Sequence, residues 1–372
     1  MNDTIFNEFS NKTVLITGHT GFKGSWLSIW LNNLGAKVIG VSIEIPSKPS
    51  NFESSCIKNL IKDYRIDIRD LEALKEVIDK EQPDFVFHLA AQALVGISYQ
   101  NPLETFSTNA LGTANLLEAL RCMNKKVVAI MITSDKAYDN VEWVWGYRET
   151  DRIGGKDPYS ASKGMAELVI RSYVESFFGS NNSNVRIGIA RAGNVIGGGD
   201  WAKGRIIPDC VKSWSKDNFV EVRNPDATRP WQHVLEPLSG YLLLAINLQK
   251  TEINHGEAYN FGPPADQNHS VRNLIDEMAK HWDSVEWNDV SKMHHNHEAA
   301  LLKLNCDKAL FDLSWQPTME FKETVKMTID WYKQYYQNIS QKKEMSMFDF
   351  TSLQIENYVF LANQRQITWA AK

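Results

Sequence analysis

Short runs of apolar residues alternate with longer amphipathic stretches along the first half of the chain. We predict β-strands in the apolar runs, at Thr13–Thr17, Ala36–Ser42, Tyr64–Ile68, Phe85–Leu89, Lys126–Thr133 and Val185–Arg191. The stretches with a helical period predict α-helices at Lys23–Leu34, Leu71–Glu81, Leu103–Met123 and Pro158–Phe178. Apolar strands separated by helices are typical of a parallel sheet that is covered on both faces. We therefore expect an α/β fold built on a doubly wound parallel sheet.

The pattern changes after about residue 192. A loop opens at Gly197–Asp200, and prolines divide the residues that follow into short segments. We expect residues 1–192, with some later returning segments, to form the first domain, and residues 193–341 to form most of a smaller, interleaved C-terminal domain. Residues 342–372 are expected to form a tail with an amphipathic helix around Leu353–Leu361.

Composition and charge exclude several classes of protein. The 372 residues are 43% hydrophobic and 23% charged, which is ordinary for a globular chain. The formal net charge is −5 and no run of Lys and Arg is present, so we expect no nucleic-acid partner. No apolar stretch approaches the ~20 residues of a membrane helix, and the polar first residues do not resemble a signal peptide. We expect a cytoplasmic protein with no membrane partner.

Cysteines and histidines predict neither a disulfide framework nor a metal site. The cysteines lie far apart without a C-x-x-C pair, which favours reduced thiols at Cys56, Cys122, Cys210 and Cys306. His294, His295 and His297 form a cluster, but no acidic or cysteine residue is spaced to complete the coordination of a metal. We expect a solvated loop there and no bound metal.

A glycine-rich loop follows the first predicted strand. Residues 17–24 read TGHTGFKG and lead directly into the first predicted helix. Glycine lets the backbone turn tightly and approach a pyrophosphate, while the helix N-terminus supplies N–H donors and the positive end of the helix dipole. Strand, loop and helix in this order predict a Rossmann-type dinucleotide site. The residues expected to line it are Gly18, Thr20, Gly21, Phe22, Lys23 and Gly24.

Two acidic positions suit a dinucleotide, and the second of them favours NAD over NADP. Asp67, in the third predicted strand, is placed to accept a hydrogen bond from the adenine amino group. Glu44 follows the second predicted strand, where a carboxylate can bind a ribose hydroxyl, and no arginine is present there for a 2′-phosphate. We therefore expect NAD.

Tyr159 and Lys163 lie four residues apart at the start of a predicted helix, so they share one helical face. A tyrosine near pKa 10 is a poor base at neutral pH, and lowering its pKa to about 7 takes roughly 4 kcal/mol. One ammonium at about 4 Å supplies about that energy at an effective dielectric constant of 20. The pair would then take a proton from a hydroxyl while the carbon beneath it gives hydride to NAD, and Ser134 would share that proton.

The chain resembles the extended short-chain dehydrogenase/reductase superfamily over nearly its whole length. The resemblance rests on TGHTGFKG at 17–24, HLAAQ at 88–92, Asn109, YSASK at 159–163 and RAGNVIGGGD at 191–200. It implies a Rossmann-type NAD domain and a smaller substrate-binding domain. It also implies further cofactor contacts, from Asp67, Ile68, Leu89, Ala90, Ala91, Asn109, Thr133, Tyr159 and Lys163.

Within that superfamily the chain is similar to the 4,6-dehydratases of nucleotide sugars. The more specific segments are SDKAYDN at 134–140, Trp201 with GRIIPD at 204–209, and ATRPWQHV at 227–234. The similarity implies that Asp135 protonates the leaving C6 hydroxyl and that Lys136 acts at C5. The related dTDP-glucose dehydratases carry a glutamate in place of Lys136. A lysine is protonated at neutral pH unless its surroundings remove the proton, so Lys136 acts either as a base or as a stabiliser of enolate charge.

The same similarity implies a nucleotide-sugar substrate, with CDP-glucose expected, and a product that feeds deoxysugar synthesis for surface polysaccharide. A diphosphate carries two negative charges, and the guanidinium groups of Arg205 and Arg229 suit its oxygens. Pro230 stands where related families carry an aspartate after this arginine. The expected substrate contacts are Gln92, Tyr99, Ser134, Asn194, Arg205, Ile206, Arg229 and Trp231.

Other functions and assemblies stay open on the sequence alone. A nucleotide-sugar 4-epimerase on the same scaffold would need neither Asp135 nor Lys136, and a dehydratase of another nucleotide hexose would need both. A catalytically silent NAD-binding sensor would have no use for the intact Ser134, Tyr159 and Lys163. In relatives, helices that match Leu103–Met123 and Pro158–Phe178 pack across a two-fold axis as a four-helix bundle. We therefore expect a homodimer, although the sequence does not decide between dimer and tetramer.

Overall fold

The computed structural model describes residues 4–179, 183–283, 285–291, 301–340 and 345–371. The histidine cluster at His294, His295 and His297 lies outside these ranges, so the prediction about it is not tested. Within them, no helix combines the length and the apolar character that a membrane span requires.

The described residues form β-strands, α-helices and shorter helical turns along the whole chain. The strands are β1 (Thr13–Thr17), β2 (Lys37–Val41), β3 (Lys62–Tyr64), β4 (Phe85–His88), β5 (Val127–Ile132), β6 (Val185–Arg191), β7 (Val195–Ile196), β8 (Val220–Val222), β9 (Thr228–Arg229), β10 (Gln232–His233), β11 (Ala258–Asn260), β12 (His269–Ser270) and β13 (Trp287–Asp289). The α-helices are α1 (Phe22–Asn33), α2 (Asn51–Ser54), α3 (Leu71–Glu81), α4 (Val95–Gln100), α5 (Pro102–Phe106), α6 (Gly112–Arg121), α7 (Pro158–Tyr173), α8 (Ile206–Trp214), α9 (Leu235–Lys250), α10 (Val271–Ala279), α11 (Asp307–Leu313), α12 (Phe321–Ile339) and α13 (Met347–Gln364). Shorter 3-10 or π-helical turns lie at Ile5–Phe9, Ile57–Leu60, Ser107–Leu111, Asp135–Ala137 and Val174–Phe178.

A parallel seven-stranded sheet organises the molecule, in the order β11-β6-β5-β4-β1-β2-β3. β1 pairs in parallel with β2 on one side and with β4 on the other. The chain therefore builds the sheet outward to β3, returns to the centre and continues in the opposite direction. Ligands of such sheets bind beyond the carboxyl ends of the strands, where the order reverses. This point lies between β1 and β4, and the expected doubly wound α/β fold is confirmed.

Most predicted elements lie within one or two residues of those observed, but the third strand is an exception. It is predicted at Tyr64–Ile68 and found at Lys62–Tyr64, so most of that range is wrong. Beyond Tyr64 the chain turns, because the Asp67 carboxylate accepts a hydrogen bond from Arg69 N at 2.9 Å. Ile68 then packs against α6 at Gly112 instead of continuing the sheet.

The sheet separates two hydrophobic cores, because successive residues of a strand point to opposite faces. On one face, Leu15 of β1 and Val86 of β4 pack with Leu116 of α6. On the other face, Val14 of β1 packs in a cluster that includes Trp30 of α1. The unbroken apolar runs in the sequence are explained by this burial on both sides.

Helix α13 covers the outer face of α1. Trp30 meets Tyr358 edge to face, with 5.9 Å between ring centroids, and Asn33 Nδ2 donates to Ser352 Oγ over 2.9 Å. As a result α1 is buried continuously from Gly24 to Leu31. The C-terminal helix is therefore part of the core that supports the glycine loop.

The part of the chain after β6 forms small sheets that surround the end of the large one. In the described residues β7 pairs with β10, β8 with β13 and β9 with β12. β11 returns to the main sheet and pairs in parallel with β6. The later segments thus pass back into the first half of the fold.

A buried carboxylate joins α9, α13 and the segment that precedes α12. Glu236, in the first turn of α9, accepts hydrogen bonds from Met319 N at 2.7 Å, Thr318 N at 2.9 Å and Tyr358 Oη at 2.8 Å. Burial raises the pKa of Glu236 to about 7, although these donors and Arg365 oppose the shift. The ionised form is therefore disfavoured in the fold despite its three donors.

The free energy of unfolding should depend on pH through Glu236. The pKa of this carboxyl rises from about 4.5 in the unfolded chain to about 7 in the fold. As pH rises through that range the free energy of unfolding should therefore fall by about 3 kcal/mol, and above the range it should fall no further on this account. Glu236→Gln should remove this component, so the difference between wild type and variant in urea unfolding should change over that pH range. Glu356→Gln, on the exposed face of α13, is the control. A difference that does not vary with pH would contradict the expectation.

Candidate active site

A cleft of about 1320 Å³ opens at the carboxyl edge of the main sheet. Its walls come from the glycine loop, the ends of β2, β4 and β5, the start of α7, and segments that follow β6. All of the residues predicted to bind cofactor or substrate or to act in catalysis line this cleft, except Asn109 and Tyr99. Segments far apart in the sequence thus meet at the place where the strand order reverses.

The glycine loop packs tightly against the end of β4. Gly18 has a φ of +78°, and a Cβ there would lie 2.7 Å from Ala90 N. A Cβ on Gly24 would overlap the carbonyl oxygen of Gly18. Both glycines are required by this packing, and α1 begins at Phe22 with its first N–H groups beside the cleft. This cradle of backbone and helix N-terminus fits the pyrophosphate of a dinucleotide.

His19 is a residue of the loop that the glycine motif did not single out. Its ring is buried, with Nε2 2.9 Å from Asp63 Oδ1 and Nδ1 3.0 Å from Ser42 Oγ. A Cβ on Gly40 would overlap that ring. Burial lowers the pKa of His19, although Asp63 opposes the shift. The imidazole connects the loop to the ends of β2 and β3. The feature of the sequence that could have identified His19 is a polar residue inside a glycine loop that is expected to be buried.

At the end of the cleft near β2 and β3, Asp67 is fixed by its neighbour. Arg69 Nη2 lies 2.6 Å from Asp67 Oδ2, and this hydrogen bond lowers the pKa of the Asp67 carboxyl. The backbone after β2 is held by Thr20, whose hydroxyl donates to the Glu44 carbonyl over 2.6 Å. Asp67 and Glu44 both line the cleft, on the wall where an adenosine would lie.

The candidate catalytic groups come from the end of β5 and the first turns of α7. Asp157 caps α7 by accepting a hydrogen bond from Ser160 N at 3.0 Å, and Pro158 takes the first helical position. Tyr159 and Lys163 therefore face the cleft one helical turn apart. Ser134 follows β5, and its hydroxyl donates to Asp135 Oδ1 over 2.9 Å.

The pKa of Tyr159 does not follow the sequence-based expectation. Burial raises it to about 12; a hydrogen bond with Ser134 opposes the shift, and Asp135 adds to it. Burial also lowers the pKa of Lys163 to about 8, opposed by Glu167. The expected fall of Tyr159 to about 7 is wrong for the protein alone, because desolvation disfavours the phenolate and the ammonium together.

Asp135 is buried because a glycine leaves room for it. A Cβ on Gly193 would overlap the Asp135 carboxylate, so this side chain lies directly against the backbone after β6. Lys136 is half-buried and also lines the cleft, and its N–H donates to Ser134 Oγ over 3.2 Å. Gly193 was not predicted as a site residue, since a glycine there gives no local signal of a contact with the turn after β5.

Lys23, predicted to bind the cofactor, extends from α1 towards the catalytic groups. Its ammonium lies 3.5 Å from Tyr241 Oη. Burial lowers the pKa of Lys23 to about 8, Lys163 and Arg205 add to the shift, and Asp135 opposes it. The floor of the cleft thus holds a second lysine, half-buried, near Lys163.

A buried ion pair behind the cleft was missed in the sequence. Arg191 Nε and Nη2 each lie 2.7 Å from an oxygen of Glu167, and Arg191 Nη1 donates to Tyr138 Oη over 2.7 Å. Thr133 Oγ1 donates to the same carboxylate over 2.6 Å. The network joins β6, the end of β5 and α7, one turn beyond Lys163. A charged residue in a helix usually indicates a solvated face, so this burial could not be predicted from the local pattern.

Three predicted residues support the cleft or lie outside it. Asn109 is buried behind the wall, where its amide bonds Gln92 N at 2.8 Å and Ser162 Oγ at 2.8 Å. The Gln92 side chain lines the cleft, but its Nε2 donates to Thr105 Oγ1 over 3.0 Å. Tyr99 is 66% exposed and does not line the cleft. Asn109 and Gln92 thus brace the wall of the cleft, whereas Tyr99 lies outside it.

The wall formed after β6 carries the remaining predicted residues. Arg205 Nη1 lies 2.6 Å from Asp200 Oδ2, and Arg229 Nη1 donates to the Thr228 carbonyl over 2.8 Å. The indole of Trp231 donates to the His269 carbonyl over 3.1 Å. The sequence identified the arginines, whereas the carboxylate of Asp200 that orients one of them was not predicted.

The described part of the chain contains no group of three or more His, Cys, Asp or Glu side chains that could hold a metal ion. Cys56 and Cys122 are exposed thiols, Cys210 is buried and Cys306 is half-buried, all without a disulfide.

Comparison with known proteins identifies 4,6-dehydratases as relatives over most of the chain. A profile of the GDP-mannose 4,6 dehydratase family matches residues 15–328. The CDP-glucose 4,6-dehydratase of Salmonella typhimurium is 46% identical over 348 residues, which cover 91% of this chain and 97% of that protein. The dTDP-D-glucose 4,6-dehydratase of Dictyostelium discoideum is 30% identical, covering 67% of this chain and 58% of that protein.

Solved structures show the same fold at lower identity. A UDP-glucose 4-epimerase from Stenotrophomonas maltophila, solved with bound NAD, has a TM-score of 0.77 at 21% identity and covers 89% of this chain and 100% of that one. DesIV, a dTDP-glucose 4,6-dehydratase from Streptomyces venezuelae with NAD bound, has a TM-score of 0.72 at 23% identity, covering 86% and 97%. The fold is therefore shared by epimerases and dehydratases.

Removal of one partner of the buried Arg191–Glu167 pair should strongly destabilise the fold. Arg191→Met or Glu167→Gln should each lower the free energy of unfolding by about 3–5 kcal/mol, because each leaves a buried charged or polar partner unpaired. The double variant should cost less than the sum of the two. Lys326→Met, which breaks an exposed pair on α12, is the control and should cost about 0–1 kcal/mol. Additive losses in urea unfolding would contradict the coupling.

Proposed function

Because the chain belongs to the GDP-mannose 4,6 dehydratase family of nucleotide-sugar enzymes, we propose that it is an NAD-dependent hydro-lyase that converts CDP-glucose into CDP-4-dehydro-6-deoxyglucose. The observation that carries this proposal is the meeting of Asp135 and Lys136 with Tyr159 and Lys163 in one cleft. An epimerase would use only the latter pair. The Salmonella typhimurium relative supports CDP-glucose as the substrate.

The first part of the reaction is oxidation at C4 of the glucose. When bound, the nicotinamide of NAD supplies the acceptor for hydride from C4 and the donor that later returns it to C6. Tyr159 takes the proton of the C4 hydroxyl, and the Ser134 hydroxyl shares it through a hydrogen bond. Lys163 stabilises the charge that forms on the phenol oxygen, since a pKa of about 8 leaves its ammonium mostly protonated at neutral pH.

The second part is loss of water across C5 and C6. The C4 ketone makes the C5 hydrogen acidic, and Lys136 acts at C5, as a base when neutral or as a counter-charge to the enolate when protonated. Asp135 gives a proton to the C6 hydroxyl, which leaves as water. In this elimination the C5–H and C6–O bonds break and a C5–C6 double bond forms. Return of the hydride to C6 and addition of a proton at C5 then give the product.

The nucleotide part of the substrate is assigned to the wall that follows β6. Arg205 and Arg229 bind the diphosphate, with Asn194 as a further donor and Ile206 and Trp231 as apolar contacts. Residues 1–192 are proposed as the NAD domain and residues 193–341 as most of the substrate domain, with β11 as a segment that returns to the first. The tail beyond residue 341 supports α1 through α13.

The expected cellular role and assembly follow from the same assignment. We propose that the protein works in the cytoplasm, where NAD and nucleotide sugars are available, and that its product feeds deoxysugar synthesis for lipopolysaccharide. A homodimer formed through α5, α6 and α7 is supported by apolar side chains exposed on α5, on the π-helical turn that joins it to α6, and on α7, at Leu103, Leu111, Met165 and Leu168. A second copy would bury them as a four-helix bundle.

Purified protein with NAD should remove one water from CDP-glucose, detected by mass spectrometry, with dTDP-glucose, UDP-glucose and GDP-mannose as parallel substrates. Asp135→Asn should lower the dehydration kcat by roughly 100- to 10,000-fold, because the leaving hydroxyl loses its acid. In deuterium oxide this variant should still exchange the C5 hydrogen of recovered substrate.

Tyr159→Phe is the matched variant, which should lose both dehydration and C5 exchange, since no ketone forms. Loss of water from another sugar would keep the mechanism and change the substrate. Full dehydration by Asp135→Asn would contradict its role, and an epimer without any change of mass would favour the 4-epimerase.

Charge on the exposed helix face should abolish the dimer. Leu103→Glu, at a side chain that is 82% exposed, should convert the protein from dimer to monomer in analytical ultracentrifugation, because two copies of the charge would be buried in an apolar interface. Phe311→Glu, on an equally exposed side chain of α11, is the control and should leave the mass unchanged. A wild-type monomer would contradict the proposal.

A further inference from the structure

One wall of the cleft is lined mainly by apolar side chains. It is formed by the first turn of α8, the end of β8 and the start of α10. Ile206, Ile207 and Pro208 contribute from α8, Val222 from β8 and Val271 from α10. Together with the proposed diphosphate ligand Arg205 at the start of α8, this wall suits the nucleoside end of a nucleotide sugar.

Asp209 is a carboxylate in that wall. It lies in the first turn of α8, is half-buried and lines the cleft. Among the residues that the structure describes, one hydrogen bond reaches its carboxylate, from Gly204 N over a long 3.4 Å. Lys203, Lys212 and Arg223 are near enough to lower its pKa, but within these residues none forms an ion pair with it. The carboxylate therefore has acceptor capacity left for a ligand.

The negative charge of a carboxylate repels that of a nearby diphosphate. Hydrogen-bond donors to the carboxylate must therefore compensate for this repulsion. Burial raises the pKa of the Asp209 carboxyl, so nearby protein donors do not fully compensate for its desolvation. Pyrimidine bases differ at position 4, where cytosine carries an amino group and uracil and thymine carry a carbonyl oxygen. An amino group would complete the hydrogen bonding of Asp209, whereas a carbonyl oxygen would face it as a second acceptor.

We propose that Asp209 binds the exocyclic amino group of cytosine and thereby makes the cleft selective for cytidine nucleotides. The inference rests on the proposed function and identifies the residue that determines its nucleotide. Glu221, in the middle of β8, is a second carboxylate on the same wall, but its side chain is exposed between the buried Val220 and Val222. A solvated carboxylate discriminates weakly, because water satisfies it with either base.

The test compares Asp209→Asn with Glu221→Gln, each removing one negative charge from this wall. For Asp209→Asn, kcat/KM with CDP-glucose should fall roughly 10- to 100-fold, mainly through KM, since an amide offers a weaker acceptor and a competing donor. The preference for CDP-glucose over UDP-glucose and dTDP-glucose should fall by at least that factor. In calorimetry on the NAD-loaded enzyme, binding of CDP should weaken relative to UDP. Glu221→Gln should keep the wild-type ratios.

The possible outcomes separate the inference from the proposed function. If wild type does not dehydrate CDP-glucose, the proposed function fails. If it does, and Asp209→Asn keeps the wild-type preference, the inference alone fails. A loss of preference in Glu221→Gln but not in Asp209→Asn overturns it as well. Asp209→Ser, judged folded by its melting temperature, serves as a second variant if Asp209→Asn is not stable, and the same ratios decide.

Discussion

The geometry of the candidate active site depends on the buried ion pair between Arg191 and Glu167. Arg191 ends β6, Thr133 follows β5, and Glu167 lies one turn beyond Lys163 on α7. Two charges are tolerated in a low-dielectric interior only when hydrogen bonds satisfy their remaining polar atoms. Thr133 and Tyr138 provide those bonds. α7 is therefore fixed against the carboxyl ends of β5 and β6, and the position of Tyr159 beside Ser134 follows from that attachment.

Burial at the floor of the cleft disfavours the charged forms of both lysine and tyrosine side chains. It lowers the pKa of Lys23 and of Lys163 to about 8, and it raises that of Tyr159 to about 12. An ammonium that is itself desolvated does not produce a phenolate nearby, because the environment disfavours each ion separately. The protein alone therefore keeps Tyr159 as a neutral phenol.

The sheet, the glycine loop and the Tyr159–Lys163 pair could be predicted because each follows from a local pattern. The third strand could not, because Ile66 and Ile68 are apolar enough for a strand while the contact of Ile68 with Gly112 lies in another part of the sequence. The same limit applies to the site. Contacts with segments far along the chain explain the positions of His19, Glu167 and Gly193. Asp209 can be recognised as a site residue only when α8 is known to line the cleft.

The dependence of α1 on α13 has a consequence for synthesis on the ribosome. α1, beside the glycine loop, is enclosed only when a helix ending at Gln364 packs over it. Translation adds roughly 5–20 residues per second, so Trp30 and its neighbours wait on the order of tens of seconds before their covering helix emerges. During that interval an apolar surface is open to chaperones and to other nascent chains. The dinucleotide cradle, although its own residues are made early, is completed only after α13 has emerged from the ribosome.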